Sequence, residues 1–240
     1  MKKLFYSIRI FLLKTFYGKY SPEVFFYKEK KIENNLFFLK MAINHYQFNI
    51  IQPFYEFIHI KPDIPKLKTA IDMEFKGFNF GTKLKDIIHK EGKPLSICYE
   101  KHDKFMFSGL VYKTPINHIR ITILFCFIND QLCLGEYTIP LNETKGLANI
   151  NPGSVADNML KQLKKQYSID ANFKENSFYL EDSNGLLLFI DIDGFNLKIK
   201  TYGLANSSMK ELLIKIFNKN ADPKKNSKDE LGQNTSINLL

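Results

Sequence analysis

The sequence predicts an α+β fold: two tandem units, each a short helix plus an antiparallel β-sheet, preceded by an N-terminal helical segment. Three observations carry that prediction. Phe78-Asn79-Phe80-Gly81-Thr82, leading into Lys83 to Ile88, returns as Ile150-Asn151-Pro152-Gly153-Ser154, leading into Val155 to Leu160. Ile121 to Cys133, with a turn at Asn129-Asp130, is echoed by Leu186 to Leu197, with a turn at Asp193-Gly194. The apolar pattern also changes along the chain, from helical spacing before about residue 60 to alternation after residue 95. Internal similarity of this kind points to a duplicated supersecondary unit.

Residues 1–60 form the predicted helical segment. Ser21-Pro22-Glu23 is a helix start, with a hydroxyl cap and a proline in the first turn, where the missing N–H does no harm. Ile32, Leu36, Leu39, Ile43, Tyr46 and Ile50 alternate steps of four and three, so they share one helical stripe that packs on a domain. Pro53 should end or kink that helix. Residues 61–75 read as a linker, because Lys61-Pro62-Asp63-Ile64-Pro65 favours extended backbone.

The duplicated domain spans 76–203, with units at 76–140 and 148–203. In the first unit Gly81-Thr82 should cap a helix over Lys83 to Glu91, which Gly92 stops and Pro94 keeps stopped. Strands follow at Leu95 to Lys101, Phe105 to Lys113, His118 to Ile128 and Gln131 to Ile139, the last two joined by the tight-turn pair Asn129-Asp130. In the second unit Ser154 and Asp157 have capping-box spacing before a helix to about Gln166. Phe173 to Glu181, Leu186 to Ile192 and Phe195 to Tyr202 read as strands, turned at Asn184-Gly185 and Asp193-Gly194. A C-terminal helix is expected at 204–219 and a polar, disordered tail at 220–240.

Gly81, Thr82, Gly92 and Pro94, with Tyr112 on a strand and the strand Ile121 to Phe127 before Asn129-Asp130, carry a resemblance. The units resemble the beta-lactamase-inhibitor-protein-like superfamily, which includes outer-membrane assembly lipoproteins of the BamE/SmpA type. The likeness covers roughly residues 75–203; the second copy keeps Gly153 and Ser154 but has Lys165-Gln166-Tyr167 in place of Gly-x-Pro. It implies helices on a sheet, in tandem, and a scaffold that binds other proteins. Outer-membrane assembly is not implied, because that role goes with a lipidated N-terminal cysteine that this chain lacks.

Composition narrows the function classes. A hydrophobic content of 45% over 240 residues supports a real core. The net charge of +9 is almost all lysine; Arg9 and Arg120 are the only arginines. Guanidinium is the preferred bidentate grip on phosphate and guanine, so nucleic-acid binding is disfavoured. Lys198, Lys200 and Tyr202 share one strand face opposite Leu197 and Ile199, the pattern of an ordinary half-buried strand. Lys2, Lys3, Arg9, Lys14 and Lys19 concentrate positive charge in the first twenty residues, with no acid among them. That segment suits an anionic membrane surface, although its basic side chains look scattered on a helical wheel. Arg9 splits the apolar run and no small-residue cleavage site follows, so a signal peptide is not expected. Cys98, Cys126 and Cys133 read as reduced thiols in a cytoplasmic compartment.

Catalytic and metal signatures are weak. Cys98, Glu100 and His102 alternate along a strand and so face one way, and a Cys–His pair can activate a nucleophile. Side chains two apart on a strand are about 7 Å apart, however, too far for direct hydrogen bonding. His45, His59, His89, His102 and His118 are isolated, and Asp191 and Asp193 before Gly194 lack the closing carboxylate of a calcium loop. No metal or cofactor is expected, and enzyme activity is disfavoured. The expected function is a non-enzymatic protein-binding module, of inhibitor or immunity type. The alternative is a peripheral membrane-surface protein attached through its basic, aromatic N-terminus.

Overall fold

Apolar alternation from residue 95 onward gives strands, and in the computed structural model they all join one mixed sheet. The structure describes residues 2–33, 50–59, 66–102, 104–116, 119–140, 158, 161–168, 178–192, 196–203 and 207–220. The labelled helices are α1 (Lys2–Tyr17), α2 (Pro22–Glu33), α3 (Gln52–Ile58), α4 (Leu84–Glu91) and α5 (Ser207–Asn220); residues 161–166 are also helical. The strands are β1 (Lys66–Lys68), β2 (Ser96–His102), β3 (Phe105–Ile116), β4 (Ile119–Ile128), β5 (Gln131–Pro140), β6 (Phe178–Glu181), β7 (Leu187–Ile192) and β8 (Asn196–Tyr202).

The eight-stranded order is β1-β6-β7-β8-β5-β4-β3-β2. Every neighbouring pair is antiparallel except β1 with β6. Each three-stranded meander, β3–β4–β5 and β6–β7–β8, meets the other through its last strand, so strand order mirrors about the β5–β8 seam. The outermost strands differ: β2 is antiparallel to β3 and β1 parallel to β6. The sequence echo falls on β4–β5 and on β7–β8, which are equivalent places in that mirror order. The first copy of the repeated phrase lies at 78–88; residues 150–157, 159 and 160 of the second copy are outside the described residues, as are Asp193 and Gly194.

Alternation divides the sheet into two apolar faces. One carries Leu110, Tyr112, Ile123, Phe125, Leu188, Ile190, Leu197 and Ile199 and is covered by α4, by Leu163 and Tyr167, and by Met73, Phe75 and Phe78. The other carries Phe107, Val111, Leu124, Cys126, Leu134 and Tyr202 and is covered by Phe54 and Phe57 of α3 and Leu213 and Ile216 of α5. Pairing slips on β4 between Cys126 and Phe127, leaving Cys133 as an extra residue on β5. The bulge lets Cys133 and Leu134 both join the second face.

The motif residues of the first unit act together. Gly81, at φ 90°, donates its N–H to the Leu132 carbonyl at 2.9 Å, and Leu132 donates back to the Thr82 carbonyl at 2.9 Å. This short ladder sets the start of α4 against the β4–β5 turn, where Asn129 and Asp130 adopt φ values of 49° and 68°, the left-handed pair that a two-residue hairpin needs. The Asp130 carboxylate then accepts the Leu84 N–H at 3.3 Å. At the far end Gly92, at φ 81°, stops the helix, and the Tyr112 hydroxyl donates to the Gly92 carbonyl at 3.1 Å.

Several expectations need correction. Thr82 does not cap α4; its hydroxyl donates to the Asn79 carbonyl at 2.6 Å, and Asp130 supplies the cap from another element. Pro53 opens α3 rather than ending a helix, since a first-turn proline loses no intrahelical bond. Residues 66–68 are a strand paired with β6, and Met73 and Phe75 are buried, so this stretch belongs to the core rather than to a linker. The helical stripe from Leu36 to Tyr46, the Lys61–Pro65 segment, His45, His118 and the tail at 221–240 lie outside the described residues.

Candidate functional site

The three residues singled out for catalysis sit on β2, an edge strand. The Glu100 carboxylate and His102 Nε2 meet directly at 2.8 Å, which corrects the expectation that strand spacing would hold them apart. Backbone spacing fixes the Cβ atoms, whereas a long carboxylate and an imidazole can lean toward one another. His102 also stands edge-on to Phe107, with ring centroids 5.8 Å apart. Cys98 lies two residues further along, its thiol directed at the Gly109 carbonyl at 3.9 Å. Four strand residues span about 13 Å, so thiol and imidazole do not form a nucleophile–base pair. The other thiols are less available still. Burial pushes Cys133 up to about 11 and Cys126 well above the ordinary thiol value. Among the described residues no group of three or more His, Cys, Asp or Glu side chains could hold a metal ion.

Two buried polar centres that local sequence reasoning missed serve the fold. Lys200, 4% exposed, bonds Glu56 of α3 and lies 3.8 Å from Glu136, which also accepts the Thr138 hydroxyl at 2.7 Å. The lysine therefore fastens α3 to the seam of the sheet. Asp182, also buried, accepts the N–H groups of Met73, Asn184 and Leu186 at 2.9, 2.9 and 2.8 Å, closing the β6–β7 turn and tying it to the segment before Phe75. Both centres depend on residues more than 100 positions apart, which no local pattern signals.

The N-terminal helix differs from the rest. Tyr6 stacks on Tyr27 of α2 at 5.6 Å between centroids, and Arg9 lies over the same ring at 5.0 Å. Tyr6, Ile10 and Leu13 are half-buried. On the opposite side Ile8, Phe11, Leu12 and Phe16 are 48%, 67%, 46% and 78% exposed. Steps of three and four place those four on one stripe. Arg9 and Lys14 fall on its two shoulders. The basic residues that look scattered along the sequence thus border one apolar face. The spacing was present in the sequence, but only the packing of Tyr6 on Tyr27 shows which side remains outward. Lys19 follows the helix, exposed, with its ammonium 5.2 Å from the Tyr20 ring centroid. The side chains of Lys2 and Lys3 are outside the described residues. Among the described residues no helix is long and apolar enough to cross a membrane.

Helices laid on both faces of a mixed eight-stranded sheet define an α+β protein. No family model, curated protein or solved structure matches this chain.

Proposed function

We propose that this chain is a non-enzymatic, peripheral surface-docking protein whose α1 lies in the headgroup region of an anionic membrane. The outward stripe Ile8-Phe11-Leu12-Phe16, bordered by Arg9 and Lys14, carries this reading. Fully burying one such apolar side chain contributes about 1.5–3 kcal/mol, and each cation near an anionic surface about 1 kcal/mol more. Cys98, Cys126 and Cys133 are not joined in disulfides, which fits a reducing, cytoplasmic setting. The test is co-sedimentation of the full chain with vesicles. Phosphatidylglycerol-containing vesicles should retain it and pure phosphatidylcholine vesicles should not. Phe11→Ser with Phe16→Ser should weaken retention at least about a hundredfold, and added salt should weaken it further. Equal binding to both vesicle types, or indifference to the double substitution, refutes the reading.

The mirror order of the sheet supports a second reading, in which the body descends from two copies of one helix-plus-sheet unit and binds another protein as an inhibitor or immunity-type partner. The echo on β4–β5 and β7–β8 favours the duplication. The step from scaffold to inhibitor is an analogy of fold. Absence of any stoichiometric protein partner after capture from native lysate removes its support.

A further inference from the structure

Between the α1–α2 elbow, α4 and the first face of the sheet lies a cleft of about 560 Å³. That volume falls within the range of about 300–1,000 Å³ typical of small-ligand sites. Leu84 and Ile88 of α4, with Tyr99 and Met106 of the sheet, make its wall largely apolar. Gly18, at φ 90°, ends α1 and turns the chain into the elbow, and Lys19 and Lys85 both line the cleft. Tyr99, whose hydroxyl donates to the Tyr20 carbonyl, fastens the elbow over the sheet.

The elbow also gathers cations. The Lys28 ammonium of α2 has its pKa lowered by partial burial and by the nearby charges of Lys14 and Lys19, and at the cleft itself Lys19 and Lys85 supply the positive charge. Among the described residues no carboxylate pairs with Lys14, Lys19 or Lys28. Two acids bear on the cleft: Asp130, which lines it and whose carboxylate is engaged by the Leu84 N–H, and Glu23 in the first turn of α2. Cationic charge at the mouth and apolar wall within match a molecule with an anionic head and a hydrocarbon tail.

We infer that the cleft takes one acyl chain of an anionic amphiphile, whose head is held at the rim by Lys19 and Lys85. The inference rests on the surface-docking reading, because the same membrane supplies the ligand. Lysines at the rim of an apolar cleft would let the protein select a head group rather than adhere by charge alone.

Dodecyl phosphate below its micelle concentration is the probe, titrated calorimetrically into the full chain. One equivalent should bind, about tenfold or more tighter than dodecyl maltoside or inorganic phosphate. Met106→Trp should fill the cleft and weaken binding about tenfold, and Lys19→Glu with Lys85→Glu should do the same from the mouth. Circular dichroism checks that these variants fold; Ser108→Leu fills the same cleft should Met106→Trp not fold. The Phe11→Ser, Phe16→Ser variant separates the two ideas: it should lose vesicles yet bind dodecyl phosphate unchanged. No saturable binding, binding untouched by the cleft-filling and charge-reversal variants, or inorganic phosphate binding equally well overturns the acyl-chain site.

Discussion

In the meander β3–β5 the strands run 12, 10 and 10 residues and close through a two-residue turn; in β6–β8 they run 4, 6 and 7 residues. The first meander therefore buries long rows of side chains on both faces of the sheet. The second has less to bury and relies on Asp182, a charged residue that ties its turn to Met73. Each half also packs a phenylalanine ring over a glycine. A Cβ at Gly135 would fall 2.1 Å from the ring of Phe75, and one at Gly203 would fall 2.2 Å from Phe80. The rings differ in freedom: Phe75 is 1% exposed, wedged against Phe125 and Tyr137, whereas Phe80 is only half-buried. The same collision is thus costly where the neighbour cannot yield and milder where it can.

That contrast is best tested at its extremes. Gly135→Ala should cost about 3–4 kcal/mol in urea unfolding, since overpacking must displace a locked ring, and Gly203→Ala about half as much. Equal losses would mean that ring mobility does not govern the difference. Asp182→Ala should cost about 3 kcal/mol, because the buried Met73 N–H and the part-buried N–H groups of Asn184 and Leu186 lose a charged acceptor. Hydrogen exchange should then quicken at Met73, Asn184 and Leu186 while β3 and β4 keep their protection. A uniform loss would show the two meanders opening as one unit. Asp130→Gly keeps the positive φ yet removes the cap of α4, so about 1 kcal/mol should go, with faster exchange at Leu84. The smallest effect belongs to the partly exposed pair on β2. Glu100→Gln should change stability by less than about 0.5 kcal/mol, since partly exposed pairs of this kind contribute little.

The first unit was the most readable part of the chain. Asn129-Asp130 fixed the β4–β5 register, and Gly92 placed the end of α4, because turns and helix stops act through the residues that make them. The errors arise where a distant group does the work. Thr82 has the chemistry of a cap, but Asp130 is delivered to Leu84 by hairpin closure. Lys66–Lys68 reads as an extended connector because an extended strand and a linker differ only in having a partner, and the partner here is Tyr179–Glu181. The Glu100–His102 bond depends on rotamers, which spacing alone does not specify. For the surface of α1 the sequence held the stripe, but not the identity of the side facing α2.

The pairing of β1 with β6, and the bond from Glu56 to Lys200 across 144 residues, bear on how the chain is made. Translation at about 5–20 residues per second delivers Phe54, Phe57 and Lys66–Lys68 on the order of ten seconds before the strands that receive them. During that interval the nascent polypeptide carries an unsatisfied strand and two bare aromatic rings outside the ribosomal exit tunnel. Vectorial folding cannot close this molecule from its first residues onward. The early segments must wait for partners that are synthesised more than 100 residues later.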